Sequence, residues 1–374
     1  MRFLFTADWH VHPFRECSRD GGQDRLQDGL SAVRQLLQAA RDRRCPLVVG
    51  GDVKHTPGHW ILSVLNGLLA LFEEFRAVPK VLIHGNHDGV AGGRSGLEIF
   101  RSSDVLNCAV LSAPCVTTWG TLDGGSGDGT PVAIWPWQRS LDGLPAFLTQ
   151  AKKAKARVLF AHAFLSGATV GPAEVRLAKG TSLEQFGLAG KSPVFSWGLF
   201  GDVHKAQALP GNVAGVRGVW YPGSLYSQTW GERETDKGAL DVDLDRGVAE
   251  IFPIRAPRFI VTDWSDIQDA NRYLTANLSA PGALFDSWRG NFVRLLVSPR
   301  VDGKLLEQVR EASGARAFQV IVQRESRVEQ RVDVHAGLDP GELLSRYVQA
   351  RPPGDGLDPR AILAAGQKLL AAAK

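Results

Sequence analysis

The chain has 374 residues, 44% of them apolar, a formal charge of +4 and an isoelectric point near 8.9. That is enough apolar material for two domains or for one large core with attachments, while the basicity is too mild to indicate a polyanionic partner by itself. No apolar run reaches the ~20 residues that cross a bilayer, and the N-terminus enters a strand-like run without the marks of a secretory leader, so no membrane role and a cytoplasmic location are expected. Cys17, Cys45, Cys108 and Cys115 show no Cys-x-x-Cys spacing and point to neither a disulfide framework nor a thiolate zinc site.

In chain order, Phe3-Leu4-Phe5 is a short apolar run followed by Asp8-Trp9-His10. Leu26, Leu30, Val33, Leu36, Leu37 and Ala40 then recur at three and four, the period of an amphipathic helix. Pro46-Leu47-Val48-Val49 leads into Gly50-Gly51-Asp52, and Val81-Leu82-Ile83 into Gly85-Asn86-His87-Asp88. Between them, Ile61 to Phe72 is a helix apolar on more than one face, which implies a second packing surface beyond one sheet. Gly124 to Gly129 reads as a hairpin loop before the strand Pro131 to Trp135. Arg157-Val158-Leu159-Phe160 leads to Ala161-His162, and Gly198-Leu199-Phe200 to Gly201-Asp202-Val203-His204, with antiparallel strands expected around 219–221, 240–244 and 248–251. The alternation predicts a layered α/β domain over 1–255.

After Arg255-Ala256-Pro257 the pattern restarts, with strands at about 258–264, 292–298 and 316–323 and helices near 266–278 and 303–313. A small α+β domain over 256–324 is expected. From 325 to 374 a charged stretch leads to two short helices, one carrying Leu343, Leu344, Tyr347 and Val348, the other Ile362, Leu363, Leu369 and Leu370, broken by Pro352-Pro353-Gly354. Helices this short are not stable alone, so the tail docks on its own chain or on a partner.

Five polar islands thus follow five apolar runs, delivering Asp, His and Asn to one edge of a sheet. Carboxylate, imidazole and amide oxygen together are the ligand set for two divalent metals bridged by a shared carboxylate, and Asp52 suits the bridge. Two such metals about 3.5–4 Å apart activate water and clamp the oxygens of an in-line phosphoryl displacement, which makes phosphate-ester hydrolysis their natural use. Singly each island is weak, because a lone His or Asp at a strand end is far more often a hydrogen-bonded loop residue. Gly190-Lys191-Ser192 imitates the end of a phosphate-binding loop, but Gln185 stands where the first glycine belongs and Pro193 follows where a helix should start, so no ATP site is expected.

In their order the islands resemble the calcineurin-like metallophosphoesterase family, whose fifth island usually reads Gly-His-x-His. Thr6-Ala7-Asp8-Trp9-His10, Gly50 to His55, and Tyr221-Pro222-Gly223-Ser224-Leu225 with Trp230-Gly231-Glu232 and Asp236-Lys237-Gly238 are similar to the SbcD branch, Mre-type nucleases of DNA break repair. The resemblance implies a β-sandwich flanked by helices, a capping domain that arranges DNA, and a helical tail. It also implies a Mn²⁺-dependent double-strand exonuclease and single-strand endonuclease holding two Mn²⁺ ions, with Mg²⁺ or another divalent metal as substitute. Asp8, His10, Asp52 and His204 would hold one ion, and Asp52, Asn86, His162 and Asp202 the other. His87 would assist the leaving oxygen, His55 would place the phosphate backbone, and Asp88 would orient His87 or its turn. Asp202 is the departure, standing where the family has His; a carboxylate there favours harder metals and weakens the Lewis acidity felt by a substrate.

Partners implied are DNA, an SbcC-like coiled-coil ATPase bound by the tail, and a second copy of the chain through the 61–72 helix. Two other readings are open. One is a phosphoesterase acting on small molecules or phosphoproteins, and the other is a non-catalytic DNA-end-binding scaffold in which Asp202 marks a degenerate site.

Overall fold

The structure is a computed structural model of the chain, and it describes residues 1–91, 93–101, 106–123, 125, 129–171, 175–176, 180–209, 215–233, 237–265, 283–323, 339–350 and 358–372. The chain divides into two compact units, one of residues 1–297 with 301–321 and one of 298–300 with 322–374.

The first unit contains two six-stranded sheets. In the first, β1 (Arg2–Thr6), β2 (Leu47–Val49), β3 (Lys80–Ile83) and β4 (Cys108–Leu111) run parallel. In the second, β5 (Cys115–Thr118) lies antiparallel on β6 (Pro131–Trp135), which runs parallel with β7 (Val158–His162). A two-stranded ribbon, β8 (Thr169–Val170) and β9 (Val175–Arg176), intervenes before β10 (Trp197–Gly201), β11 (Gln207–Leu209) and β12 (Gly218–Tyr221) complete the second sheet in the order β11-β12-β10-β7-β6-β5. The chain then returns to the first sheet, where β13 (Gly238–Asp243) pairs antiparallel with β1 and β14 (Val248–Pro253) closes the edge, giving β14-β13-β1-β2-β3-β4.

Strand alternation explains the layering, since successive side chains point to opposite faces. Phe3, Phe5, Val48, Val81 and Ile83 of the first sheet meet Val132, Ile134, Val158, Phe160 and Leu199 of the second in one core. Leu4, Leu47, Val49 and Leu82 point the other way, onto α1 (Gln23–Arg43) and α2 (Leu62–Glu74). The outer face of the second sheet is covered in part by α5 (Leu144–Ala154), the short α3 (Glu98–Arg101) and α4 (Trp119–Leu122) preceding it in the chain. The expected helix–sheet–sheet–helix layering is therefore present. α2 buries Val64, Leu65, Leu68, Leu71 and Phe72, half-buries Leu69 and leaves Leu62 exposed, so only part of its second apolar face is covered within this chain.

Residues 259–322 add a three-stranded sheet, β15 (Phe259–Asp263), β16 (Phe292–Val297) and β17 (Ala317–Val322), ordered β15-β16-β17. One face packs on the helices Ala283–Trp288 and Gly303–Ser313 around Trp288, Val293, Leu295 and Val309. The other face carries Phe259 and Phe292, on which the buried Arg25 guanidinium of α1 lies 5.1 and 4.6 Å from the ring centroids. Arg316 ion-pairs with Asp24 and Asp28 of α1 at 2.8 and 2.6 Å. The helix expected near 266–278 lies outside the described residues, as do most of the 124–129 loop, the charged stretch 324–335 and the 352–354 break. In the second unit the helices Pro340–Ala350 and Pro359–Ala372 pack on each other, with Gly366 against Leu344. Among the described residues no helix is long and apolar enough to cross a membrane.

One fully buried lysine is a stability determinant. Lys80 Nζ donates to the carbonyls of Phe75, Val78 and Leu106 at 2.7–3.0 Å, tying the end of α2 to β3, and burial holds its pKa down at about 8 against an ordinary 10.5. The unfolded chain binds more protons between those two values, so this group's penalty is fully present below pH 8 and is relieved as pH rises towards 10.5. Urea midpoints from pH 7.5 to 10.5 should show the wild type gaining roughly 2–3 kcal/mol relative to Lys80→Met; parallel pH profiles for the two proteins would contradict this.

Candidate metal centre

The loops after β1, β2, β3, β7 and β10 converge at one edge of the two sheets. Asp8, His10, Asp52 and Asp202 have φ of 53°, 43°, 57° and 96°, and they make up half of the eight non-glycine residues with positive φ among those described. Such a backbone is disfavoured for residues with a Cβ, although Asp and His tolerate it better than most. Here it is held by hydrogen bonds from Asp8 N–H to Gly51 O (3.0 Å), His10 N–H to Asp52 O (2.9 Å) and Gly50 N–H to Thr6 O (2.7 Å). Two glycines are required by contact distance: a Cβ on Gly51 would lie 2.2 Å from His162 Nδ1, and one on Gly85 would lie 2.2 Å from Asp52 Oδ1.

Asp88 fixes the second and third loops together. Its fully buried carboxylate accepts N–H bonds from Asp52 (2.8 Å), Val53 (3.0 Å), Lys54 (3.3 Å) and Gly85 (2.9 Å). Burial and the nearby Asp52 raise its pKa while the N–H donors pull it back; with donors on every side, the geometry is that of the anion. Asp88 thus orients the turn that carries His87 through backbone groups, with no hydrogen bond to the His87 ring. Lys54 reinforces the same joint, its Nζ donating to Thr56 O, His87 O and Gly89 O.

The candidate ligands sit around Asp52. Its Oδ1 accepts the His87 N–H at 2.8 Å, and its Oδ2 lies 3.4 Å from His10 Nε2 and 3.6 Å from His162 Nε2, between the two halves of the site. On one side His10 Nε2 faces His204 Nε2 at 3.1 Å. On the other, His162 Nε2 faces Asn86 Oδ1 at 2.8 Å, with Asp202 Oδ1 3.9 Å away. Asp8 has ligand atoms within 4.8 Å of both His10–His204 and Asp52–His162, and its carboxylate also accepts the Asp202 N–H. All seven residues expected as ligands therefore lie in one cluster, with Asp202 at its rim, about a quarter of its side chain exposed.

Tautomers explain what this cluster is built for. His162 Nδ1 is on Gly50 O at 2.7 Å and His204 Nδ1 on Glu232 Oε1 at 2.9 Å, so both rings turn their Nε2 lone pairs inward. Lone pairs of these two imidazoles, of the carboxylates and of the amide oxygen thus converge, at separations a cation with metal–nitrogen bonds of about 2.0–2.1 Å spans. His10 differs: its buried Nδ1 has no partner. Electrostatics points the same way. Burial raises Asp8 to about 7 and also raises Asp202, with Asp52 adding to both shifts. Burial and the neighbouring imidazoles push His10 well down, whereas at His162 burial is outweighed by Asp52, Asp8 and Asp202, which lift it to about 9. Carboxylate thus disfavours carboxylate and imidazole disfavours imidazole in their charged forms, and the donor set fits two divalent ions.

Behind the ligands lies a buried network. Glu232, which orients His204, accepts from Lys237 Nζ at 2.6 Å and Ser224 Oγ at 2.7 Å; burial raises its pKa, but Lys237 and His204 dominate and draw it down to about 2. Gln228 Nε2 donates to Asp8 O at 3.0 Å and Tyr226 Oη to His10 O at 3.3 Å, so the chain after Tyr221 grips the first loop. Arg25 joins this segment to the three-stranded sheet through Ser227 O and Gln228 O, and Arg294 lies 3.9 Å over the Trp230 ring, two residues before Glu232. The motif blocks at 221–225, 230–232 and 236–238 pointed to this segment, but no role could be assigned to Glu232, Lys237, Ser224, Tyr226 or Gln228 from spacing.

His87 and His55 flank the cluster. The His87 ring is 4.6 Å from that of His10, and its Nδ1 contacts His55 O at 2.5 Å, leaving Nε2 available. His55 stacks on His87 at 5.6 Å, while His12 bonds Thr56 Oγ1 at 3.3 Å and faces the other side of His55. The model of the calcineurin-like phosphoesterase family matches residues 1–206, which include every one of these candidate ligands, and the chain belongs to that family. Phosphoester hydrolysis by a divalent-metal centre is the chemistry the family and this cluster define.

Two substitutions test the supporting network. Glu232→Gln frees the His204 tautomer, and should weaken Mn²⁺ binding by about 10–100-fold in calorimetric titration while the fold is retained. Asp88→Asn puts an NH₂ against backbone N–H groups, and should cost roughly 2–4 kcal/mol in chemical denaturation and lower metal occupancy together; stable protein with full occupancy would show that Asp88 does not hold the loops.

Proposed function

We propose that the chain is the Mn²⁺-dependent nuclease subunit of an SbcCD-like DNA repair complex, with double-strand exonuclease and single-strand endonuclease activity. The observation that carries this reading is the position of the segment 221–238. It lies beyond the matched phosphoesterase residues, it bears the blocks similar to SbcD-type nucleases, and through Gln228, Tyr226 and Glu232 it grips Asp8, His10 and His204. A phosphoesterase core alone does not call for that addition, nor for a three-stranded sheet braced against it.

In this reading the ions supply Lewis-acid charge and an activated water. Asp52 spans the two positions; Asp8, His10 and His204 complete one, and Asn86, His162 and Asp202 the other. His87, its Nδ1 engaged by His55 O, presents Nε2 to the leaving oxygen as acid or electrostatic stabiliser, and His55 lies where the phosphate backbone passes. Residues 256–324 act as the DNA-arranging cap, the exposed part of α2 around Leu62 pairs with a second copy, and the tail helices bind the base of a coiled-coil ATPase that gates access. An intracellular site of action follows from that role.

Purified protein with Mn²⁺ should cut labelled DNA, and Asp52→Ala or His87→Ala should reduce the rate by at least about 100-fold. Turnover of a generic phosphodiester without DNA cleavage would instead indicate a small-molecule phosphoesterase, and metal-free, inert protein a scaffold. Asp202→Asn should weaken binding of one Mn²⁺ by about tenfold with a parallel loss of rate; unchanged metal content and rate would remove Asp202 from the ligand set.

A further inference from the structure

Two cavities flank the candidate metal centre along the sheet edge. In the second sheet the order β12-β10-β7-β6 places Asp202 and His204 after β10, His162 at the end of β7, and Trp137 just past β6. On the β10 side a cavity of about 270 Å³ is lined by Asp202, His204, Lys205, Thr229 and Glu232, and belongs to the site already described. On the β6 side is a larger one, of about 610 Å³, lined among others by His84, Trp135, Trp137, Gln138, Arg139 and Gln150. None of these six is among the candidate ligands, and the cavity has no part in the chemistry above.

This larger cavity is tied to the centre by short covalent and hydrogen-bonded paths. Trp135 pairs in register with Ala161, the residue before His162. His84 immediately precedes Gly85-Asn86, and its carbonyl accepts the Trp137 N–H at 2.8 Å, joining the two sheets at the cavity wall. His84 Nδ1 bonds Ser95 Oγ at 3.0 Å, and its ring meets the Trp137 ring at a centroid distance of 6.5 Å. Trp135 is buried, Trp137 half-buried and Arg139 exposed. Among the described residues, the Trp137 indole N–H and the Arg139 guanidinium make no hydrogen bond or ion pair.

The composition is that of a base-binding site. A half-exposed indole offers a π-face to any nucleobase, and a free guanidinium beside it matches a phosphate oxygen. The volume falls in the ~300–1,000 Å³ range of small-ligand pockets, enough for one nucleotide. A strand held by its scissile phosphate at Asp52 and running along the sheet edge past β7 would meet Trp137, just past β6, with a neighbouring nucleotide; a base still paired in a duplex cannot turn into a recess.

We propose that the cavity receives an unpaired nucleobase of the strand being cut, stacked on the Trp137 indole, with Arg139 on the adjoining phosphate. The proposal deepens the DNA reading above and rests on it. It makes the enzyme favour single strands, frayed ends and mismatches over closed duplex next to the cut.

The test is a KM comparison on single-stranded oligonucleotides for wild type, Trp137→Ala, Trp137→Phe and Arg139→Ala, with Mn²⁺ titration and thermal melting to establish that each variant is folded and metal-loaded. Trp137→Ala should raise KM roughly 5- to 100-fold, Arg139→Ala several-fold, and Trp137→Phe should restore most of the loss. An abasic site walked along the oligonucleotide should raise the wild-type KM at one position near the cut and have no further effect there in Trp137→Ala. A KM within twofold of wild type in folded Trp137→Ala, or an abasic penalty that persists in it, overturns the proposal. Should the wild type cut no DNA, the DNA reading fails and the cavity is judged separately by fluorescence titration with deoxynucleoside monophosphates against deoxyribose 5-phosphate. Quenching by the nucleotides that is missing in Trp137→Phe then supports a base site, and equal or absent quenching in both proteins overturns it.

Discussion

The site depends on one buried carboxylate whose hydrogen bonds all come from backbone N–H groups. Asp88 takes backbone N–H groups from residues 52, 53, 54 and 85, and so holds the loops after β2 and β3 in a single arrangement. With those loops fixed, Asp52 keeps its left-handed backbone, its Oδ1 meets the His87 N–H, and its Oδ2 is delivered between His10 and His162. A buried anion is costly unless its lone pairs are filled, and here backbone donors fill them. The cost of burying Asp88 is thereby offset locally, and the joint is stiff because its donors are main chain and have no rotamers to change.

The ligand cluster obeys the opposite rule. Its lone pairs converge, Asp8 and Asp202 are driven towards their neutral forms by burial and by neighbouring carboxylates, and His10 has a buried nitrogen without a partner. These features weaken the protein taken alone and strengthen it with cations in place, which is the signature of a pre-organised site. Support comes from residues whose own polar groups are satisfied: Glu232 with Lys237 and Ser224 behind His204, and Gly50 O behind His162. Through Trp230, stacked under Arg294, and through Arg25, lying over Phe259 and Phe292, the three-stranded sheet bears on the same loops.

Much of this was legible in the sequence because the ligands follow strands. Apolar runs of three or four residues marked β1, β2, β3, β7 and β10, and the Asp, His and Asn after each fall in one cluster because parallel strands bring their C-terminal ends to a common edge. Glycine positions were visible as motif letters, but their reason, the close approach of Gly51 to His162 and of Gly85 to Asp52, needed the tertiary structure. The supporting residues were opaque for a different reason. Glu232 serves His204 across 28 positions and Gln228 serves Asp8 across 220, separations with no periodicity to betray them. Lys80 is similar, a lysine in a strand whose three carbonyl partners come from the end of α2 and from Leu106.

Asp202 is where sequence and structure bear on each other most directly. The family pattern puts an imidazole at this position, and this chain puts a shorter, anionic group at the rim, its backbone N–H spent on Asp8 and its carboxylate 3.9 Å from His162. Asp8, Asp52 and Asp202 then surround the site with three carboxylates, which raises affinity for a doubly charged ion while leaving less of its charge for a substrate phosphate. Those effects oppose each other in rate. His162 feels the change directly: burial lowers its pKa, but Asp52, Asp8 and Asp202 outweigh burial and lift it to about 9. Residue 202 thus joins Asp52 and Asp8 in setting the charge that His162 meets, which an imidazole at that position would not do.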